Sequence, residues 1–405
     1  MKKEDKVLIF GYYGMSNVGS EARLQVIVDD VRKANPSARI YVAGFNYYKE
    51  ERLKDVNYVH LRSVSPFAIR RFILSLKKYD YIINGEGIPY VDFCGKGFLT
   101  FFLPILYWAK AFGKKTASYS FDIDRMTRMD SWFTKRVLDM TDLLVVRSPS
   151  SVRELKRIGV HHRTCLTADC AYLFKGMPKE KLSRRLKGLT KKNAKKRVSV
   201  AVKDFFCYPV SLRFFGNRDD IYQYPYYYTY ANNGKERYRK FVDEFAAFVD
   251  RLVEEHDAEV FLVVMEHMMD YRINKAVHDR LKNKDVVKIV SGKDFTVSEI
   301  KTILSSSDMT ISARLHALIL SLDSYIPLIG MSSDERFKYF FSQVRLKEYC
   351  IDAADPRFFT KLSKLVERGF RRKKSISRTL RKQARELKSL AKQNSAILKD
   401  FFQKP

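Results

Sequence analysis

The chain reads as an α/β protein built from two Rossmann-like, doubly wound halves. Three observations predict this. Short apolar runs alternate with amphipathic helices along most of the 405 residues, the rhythm of a parallel sheet covered on both faces. Several runs end in glycine, acidic or basic residues, which would stand at the carboxyl edge of a sheet, where open α/β folds bind ligands. The alternation breaks once, at a basic stretch over 176–196, and then resumes.

Val7 to Phe10 fits a first buried strand. It feeds a glycine-rich turn that carries Gly14, Asn17 and Gly19 and opens a helix with Leu24, Ile27, Val28 and Val31 on one face. Asn17 or Ser20 can cap that helix. The spacing is not G-x-G-x-x-G, so no dinucleotide site is read; the glycines either make a tight connection or let a ligand approach the backbone. Strands are expected at 39–45, 56–61 and 80–84, the last ending at Gly85-Glu86-Gly87, with a helix over 67–76 between. Glu86 thereby falls at a carboxyl edge. Helices over 98–112, 132–140 and 150–158 alternate with strands over 115–120 and 142–147, and Arg147-Ser148 ends the latter. The segment 164–168 leads to Asp169.

The stretch 176–196 is basic and contains Pro178 and Gly188, so it is read as a linker between residues 1–175 and a second α/β domain over 197–356. The second domain opens with a strand that ends at Lys203. An insertion over 205–233, rich in tyrosine and phenylalanine, either stacks on sugar rings or bases or packs on itself. Helices over 236–255, 274–281 and 297–305 alternate with strands over 259–265, ending at Glu266-His267, and 286–290.

Next comes Ser312-Ala313-Arg314-Leu315-His316, a turn from a short β-prone run into the apolar helix Ala317-Leu318-Ile319-Leu320. Arginine grips carboxylate or phosphate through two parallel hydrogen bonds. Histidine gives or takes a proton near neutral pH. The plain alternative is a structural turn with Arg314 in an ion pair and His316 packed in the core. A strand over 326–329, a loop to Asp334 and a helix over 336–341 follow. Residues 357–405 form a basic helical tail whose stripe of Leu380, Ala384, Leu387, Ala391, Asn394 and Leu398 suits a bilayer surface, a coiled coil, or packing across the first domain.

The 5 cysteines form neither a zinc pattern nor a secreted disulfide framework. No signal peptide is read, and the apolar run over 97–109 is too short to span a bilayer. A cytoplasmic protein is expected, with peripheral attachment to the inner membrane face in view. The net charge of +30 seeks polyanions. An anionic membrane surface is one candidate; nucleic acid ranks last, because no helix-turn-helix, RNA-recognition or zinc motif is present. A homo-oligomer is left open.

Taken together these pieces resemble the polysaccharide pyruvyl transferase family. The matching residues are Gly11-Tyr12-Tyr13-Gly14 with Asn17-Val18-Gly19-Ser20-Glu21-Ala22, Asn84-Gly85-Glu86-Gly87, Thr141-Asp142 with Val146-Arg147-Ser148, Thr167-Ala168-Asp169, and Ile311-Ser312-Ala313-Arg314-Leu315-His316-Ala317. The resemblance implies a GT-B-like pair of Rossmann-like domains facing a cleft. It implies transfer of the pyruvyl group of phosphoenolpyruvate onto two hydroxyls of a glycan, or of a lipid-linked oligosaccharide, as a cyclic ketal. The donor's phosphate and carboxylate call for cations, with Arg314 matching the family's arginine and Lys203 standing where an arginine is often found. His316 is the expected acid or phosphate-binding imidazolium. Glu86 and Asp169 are the candidate bases, and Asp169 is equally a helix cap or a partner of Arg147. Ser312, Leu315, Asn17, Gly14, Gly19, Arg147 and His267 complete the expected substrate contacts. No metal and no cofactor is called for, since cations can neutralise the phosphate.

Four departures from the family's pattern fall in the first domain. Members commonly carry aspartate where Ser20 stands, glycine where Glu86 stands, and aspartate where Ser148 stands. A glycine- and proline-rich turn is replaced by Phe121-Asp122-Ile123-Asp124. An unusual acceptor, a changed reaction or a lost activity would each account for them.

Overall fold

The computed structural model describes residues 4–45, 53, 55–61, 66–92, 97–162, 164–178, 180–182, 196–212, 226–230, 233–332 and 334–403. The chain divides into two compact units: Met1–Phe174 with Pro209–Leu212 and Lys388–Pro405, and Lys175–Tyr208 with Arg213–Leu387.

In the first unit, seven strands form one parallel sheet: β1 (Lys6–Phe10), β2 (Arg39–Gly44), β3 (Asn57–His60), β4 (Tyr81–Asn84), β5 (Lys115–Phe121), β6 (Leu143–Val146) and β7 (Thr164–Leu166). Their order is β3-β2-β1-β4-β5-β6-β7. The helices are α1 (Val18–Ala34), α2 (Pro66–Ser75), α3 (Gly97–Ala111), α4 (Arg128–Met140) and α5 (Pro149–Arg157). Local chemistry sets their starts. Asn17 caps α1 by accepting from the amides of Gly19 and Ser20, Thr127 caps α4, and Ser148 caps α5 with Pro149 in its first turn. One apolar cluster joins Leu8, Phe10, Ile82, Leu144 and Val146 of the sheet to Phe72 of α2, Leu103 of α3, Val137 of α4 and Leu155 of α5.

In the second unit, β8 (Lys196–Ala201), β11 (Ala258–Val264), β12 (Val287–Ser291), β13 (Met309–Ser312), β14 (Leu328–Ser332) and β15 (Cys350–Asp352) form a parallel sheet ordered β12-β11-β8-β13-β14-β15. Its helices are α6 (Gly234–His256), α7 (His267–Arg280), α8 (Val297–Ser305), α9 (Leu315–Ser321), α10 (Glu335–Gln343) and α11 (Phe358–Arg371). A last helix, α12 (Lys373–Gln403), begins in the second unit and ends in the first.

Two expectations on element position are corrected. The helix expected over 274–281 starts at His267, so Asp270 lies in its first turn. The aromatic insertion contributes two strands, β9 (Cys207–Leu212) and β10 (Tyr226–Tyr230), that pair with one another; its residues 213–225 lie outside the described residues, as do 183–195 of the expected linker. The tail's stripe is buried from Leu380 to Leu398. In the first unit its end packs on the protein itself: the Phe401 and Phe402 rings lie 5.6 and 4.7 Å from that of Tyr81.

Candidate active site

Both sheets share one wiring. In each, the first strand of the unit lies beside the fourth, and the chain leaves these neighbours in opposite directions. That crevice at the carboxyl ends is where doubly wound sheets take their ligands. In the second unit the two strands are β8, which runs on to Lys203, and β13, whose last residue Ser312 is followed by Ala313-Arg314. In the first they are β1 and β4, followed by Tyr12-Tyr13 and by Gly85-Glu86-Gly87.

At the second unit's crevice, the Ser312 hydroxyl accepts from the Arg314 amide (2.8 Å) and donates to its carbonyl (2.7 Å), shaping the turn. Arg314 is 22% exposed at its side chain. Its Nε donates to both oxygens of Asp270 (3.1 and 2.9 Å), its Nη2 donates to Oδ1 (2.5 Å), and its Nη1 lies 3.0 Å from Glu266. Asp270 is wholly buried; burial pushes its pKa up, while Arg314 and then Lys203 pull it down. Lys203 is buried and its pKa falls to about 8, through burial first and the Arg314 charge second, with Arg336 adding to both. Asp334 caps α10 and pairs with Arg336 at 2.7 Å. Burial opposes its ionisation, yet Arg336 and Lys203 hold its pKa at about 2. Leu315 and His316 open α9 and are half-buried. That helix has 7 residues, too few for a strong dipole, so cationic side chains dominate this site. His267, expected here too, hydrogen-bonds Ser291 at 2.7 Å, stacks near Tyr271, and has a pKa lowered by burial and then by Lys293.

The first unit's crevice is filled by the protein's own groups. Arg23, with no exposed surface, donates to Asp169 (3.0 Å), to Ser120 (3.4 Å) and to the carbonyls of Gly85 (3.1 Å) and Tyr119 (3.2 Å). Arg147 donates to Asp169 and, through Nε, to Asp122 (2.7 Å). Asp169 also accepts from the Ala171 amide as a cap. Glu86 accepts from the amides of Tyr12 (3.0 Å) and Gly87 (2.8 Å). Thus Glu86 occupies backbone donors that a ligand anion would otherwise use. The glycines serve these side chains. A Cβ on Gly85 would collide with the Tyr13 hydroxyl, and one on Gly87 would sit 3.2 Å from Arg147 and 3.3 Å from Arg23. Gly14, at φ 77°, donates to Glu21 (2.9 Å). Asn17 and Gly19 serve the α1 cap.

The four departures from the family pattern meet in pairs. Ser20 Oγ lies 3.5 Å from Glu86 Oε2. Ser148 Oγ donates to Asp122 Oδ1 at 2.6 Å, Ser151 donates to the same atom at 2.8 Å, and Arg147 holds Asp122 from the other side. A bulge between Ser118 and Phe121, with Ser120 at φ 55°, turns the strand end that carries Asp122. Burial opposes the Asp122 charge, but Arg147 and the hydroxyls outweigh it and lower the pKa. In each pair a carboxylate expected on one wall stands on the wall opposite.

Sequence reasoning missed Arg23, Asp270 and Arg336. Arg23 had a signal: it lies four residues before Ile27, on the buried stripe of α1. Asp270 had none, because the start of its helix was misplaced. Among the described residues no group of three His, Cys, Asp or Glu is placed to hold a metal ion. No described helix is long and apolar enough to cross a membrane.

No curated protein matches the sequence. Among solved structures, the UDP-GlcNAc 2-epimerase from Methanocaldococcus jannaschii is 11% identical, covers 96% of this chain and 100% of its own, and has a TM-score of 0.59. The UDP-GlcNAc 2-epimerase from Neisseria meningitidis bound to UDP-GlcNAc is 10% identical, with 94% of both chains covered and a TM-score of 0.57. A UGT transferase from Siraitia grosvenorii in complex with UDP is 9% identical, covers 99% and 100%, and has a TM-score of 0.56. Identities this low speak for the GT-B-like fold alone. The family model described as polysaccharide pyruvyl transferase matches residues 17–335, and the chain therefore belongs to that family of transferases.

Proposed function

We propose that this transferase moves the pyruvyl group of phosphoenolpyruvate onto a sugar of a cell-surface polysaccharide, or of its lipid-linked precursor, as a ketal. The observation that carries the reading is the meeting of Lys203 and Arg314 at the switch point of the second unit's sheet, where each lowers or offsets its neighbours' charge. The donor is a small dianion, and cations supplied by side chains suit it.

Asp270 orients the Arg314 guanidinium from the buried side. Glu266, on Nη1, is the partner a donor carboxylate or phosphate exchanges with. Lys203 takes up a proton when that anion arrives, since a nearby negative charge raises its pKa. His316 delivers a proton to the methylene carbon of the enol, leaving an oxocarbenium-like centre at C2. A sugar hydroxyl adds there and gives its proton to a general base. Phosphate then leaves C2 with the proton of the second hydroxyl as that oxygen closes the ketal. Donor and diol thus become ketal and inorganic phosphate, and all atoms are accounted for.

Incubation with phosphoenolpyruvate and a panel of glycans tests this. Phosphate release with a new ketal methyl signal by NMR is expected, and Arg314→Ala should abolish both. Absence of release with every acceptor counts against it. The GT-B-like fold favours one rival, a glycosyltransferase using a nucleotide sugar. Thermal shift by uridine or guanosine diphosphate sugars, without a shift by phosphoenolpyruvate, would select that rival.

A further inference from the structure

The helices α2, α3 and α4 follow β3, β4 and β5, whose crossovers step the same way across the sheet, so all three cover one face. Their inward residues share one core cluster. Their outward side chains are unusual. Eleven large apolar side chains are exposed among the described residues, and eight lie here: two on α2, two on α3 and four on α4. The chain has 2 tryptophans, Trp108 and Trp132. Both sit on this face, 42% and 51% exposed, beside Tyr107 and Phe133. Phe67 on α2 is 84% exposed.

Cations are interleaved with these rings. The Arg136 guanidinium lies 4.9 Å above Trp132, and Arg70 and Arg71 are exposed on α2. Neither α2 nor α3 contains an acidic residue. Between these two helices the face opens into an apolar recess of about 740 Å³ whose walls include Leu74, Phe101 and Ile105 with Arg71 and Lys78.

We infer that this face docks the protein on an anionic lipid bilayer. Tryptophan and tyrosine settle at the headgroup level, where an apolar ring and a polar edge are both satisfied. Arginine and lysine bury their stems and keep their charge at the lipid phosphates. A chain of net charge +30 is drawn to such a surface before any ring inserts. The tail helix is not the inserting element, because its apolar stripe is buried in the protein. The inference does not rest on the identity of the donor.

The test is flotation of the full chain with vesicles of phosphatidylcholine, pure or containing roughly a third phosphatidylglycerol. Both tryptophans lie on the face, so intrinsic fluorescence reads the contact directly. The unmodified protein should float with anionic vesicles, shift its emission to the blue, and be quenched by brominated acyl chains. The double variant Phe67→Glu/Trp132→Glu should bind roughly tenfold or more weakly, with its thermal unfolding unchanged, because both sites are exposed. Three results would overturn the inference. One is no flotation. Another is flotation without emission shift or quenching, which assigns binding to other basic surfaces. The third is self-association in solution that the double variant dissolves, which makes the face a protein interface.

Discussion

Single side chains set the chemistry at both crevices. Lys203 has a pKa of about 8 in the fold against 10.5 in an open chain. Between those values the unfolded state holds the proton and the folded state does not. Folding therefore releases a proton, and rising pH favours the fold through this group. In urea unfolding, the wild type should gain stability on Lys203→Met as pH rises through that window, with the difference levelling off outside it. Phosphoenolpyruvate affinity should run the other way and weaken above pH 8, which titration calorimetry at stepped pH can read. Asp270→Asn takes one of the two carboxylates off the Arg314 fork, leaving Glu266, and should cost about 2 kcal/mol in unfolding free energy. The paired departures give a third expectation. Ser148→Asp sets a second buried carboxylate against Asp122 and should cost about 2 kcal/mol; adding Asp122→Ser should recover most of it. A double-mutant cycle that shows simple additivity would mean the two positions are not coupled.

At the scale of elements, the strands were legible because a doubly covered parallel strand is a bare apolar run. β1, β4, β6 and β11 announce themselves in that way. What escaped was shorter or mixed. β15 has 3 residues, and the first turn of α7 buries only Met269 and Asp270 of its opening residues, so no helical stripe is visible there. The Arg314 turn could be picked out in advance, but Asp270, which holds its fork, could not, because a position four residues into an unrecognised helix has no face. Asn394 shows the same limit from the other side. It reads as a flaw in an apolar stripe until the partners are seen: it accepts from Thr167 Oγ1 at 2.5 Å and donates to the Ala168 carbonyl at 3.0 Å. It thus steadies the loop that carries Asp169. Asn394→Leu should cost about 2 kcal/mol, since the buried Thr167 hydroxyl loses its acceptor and the Ala168 carbonyl keeps only the longer bond from Ser120, at 3.4 Å; chemical denaturation will show this.

Across the whole molecule, composition foretold an excess of positive charge but not its address. The eye goes to the lysine-rich tail, whereas the aromatic residues that give a charged surface its grip lie on α2 to α4. Nor could the limits of the units be read from periodicity, because residues 388–405 belong to a unit whose parallel sheet ends before residue 175. Truncation after Leu387 should therefore lower the melting temperature of the first unit rather than trim a loose end. Calorimetry should show one transition moved down and the other kept.

That long return has a bearing on synthesis. The ribosome finishes every strand of the first unit's parallel sheet before it begins the second unit, yet the helix segment that seals Tyr81 and Thr167 emerges only after all of the second unit has been made. The earlier-born half must wait, partly uncapped, for the whole translation of the later one. A nascent chain arrested at residue 387 should therefore remain open to protease at the Tyr81 edge until the last turns of α12 arrive.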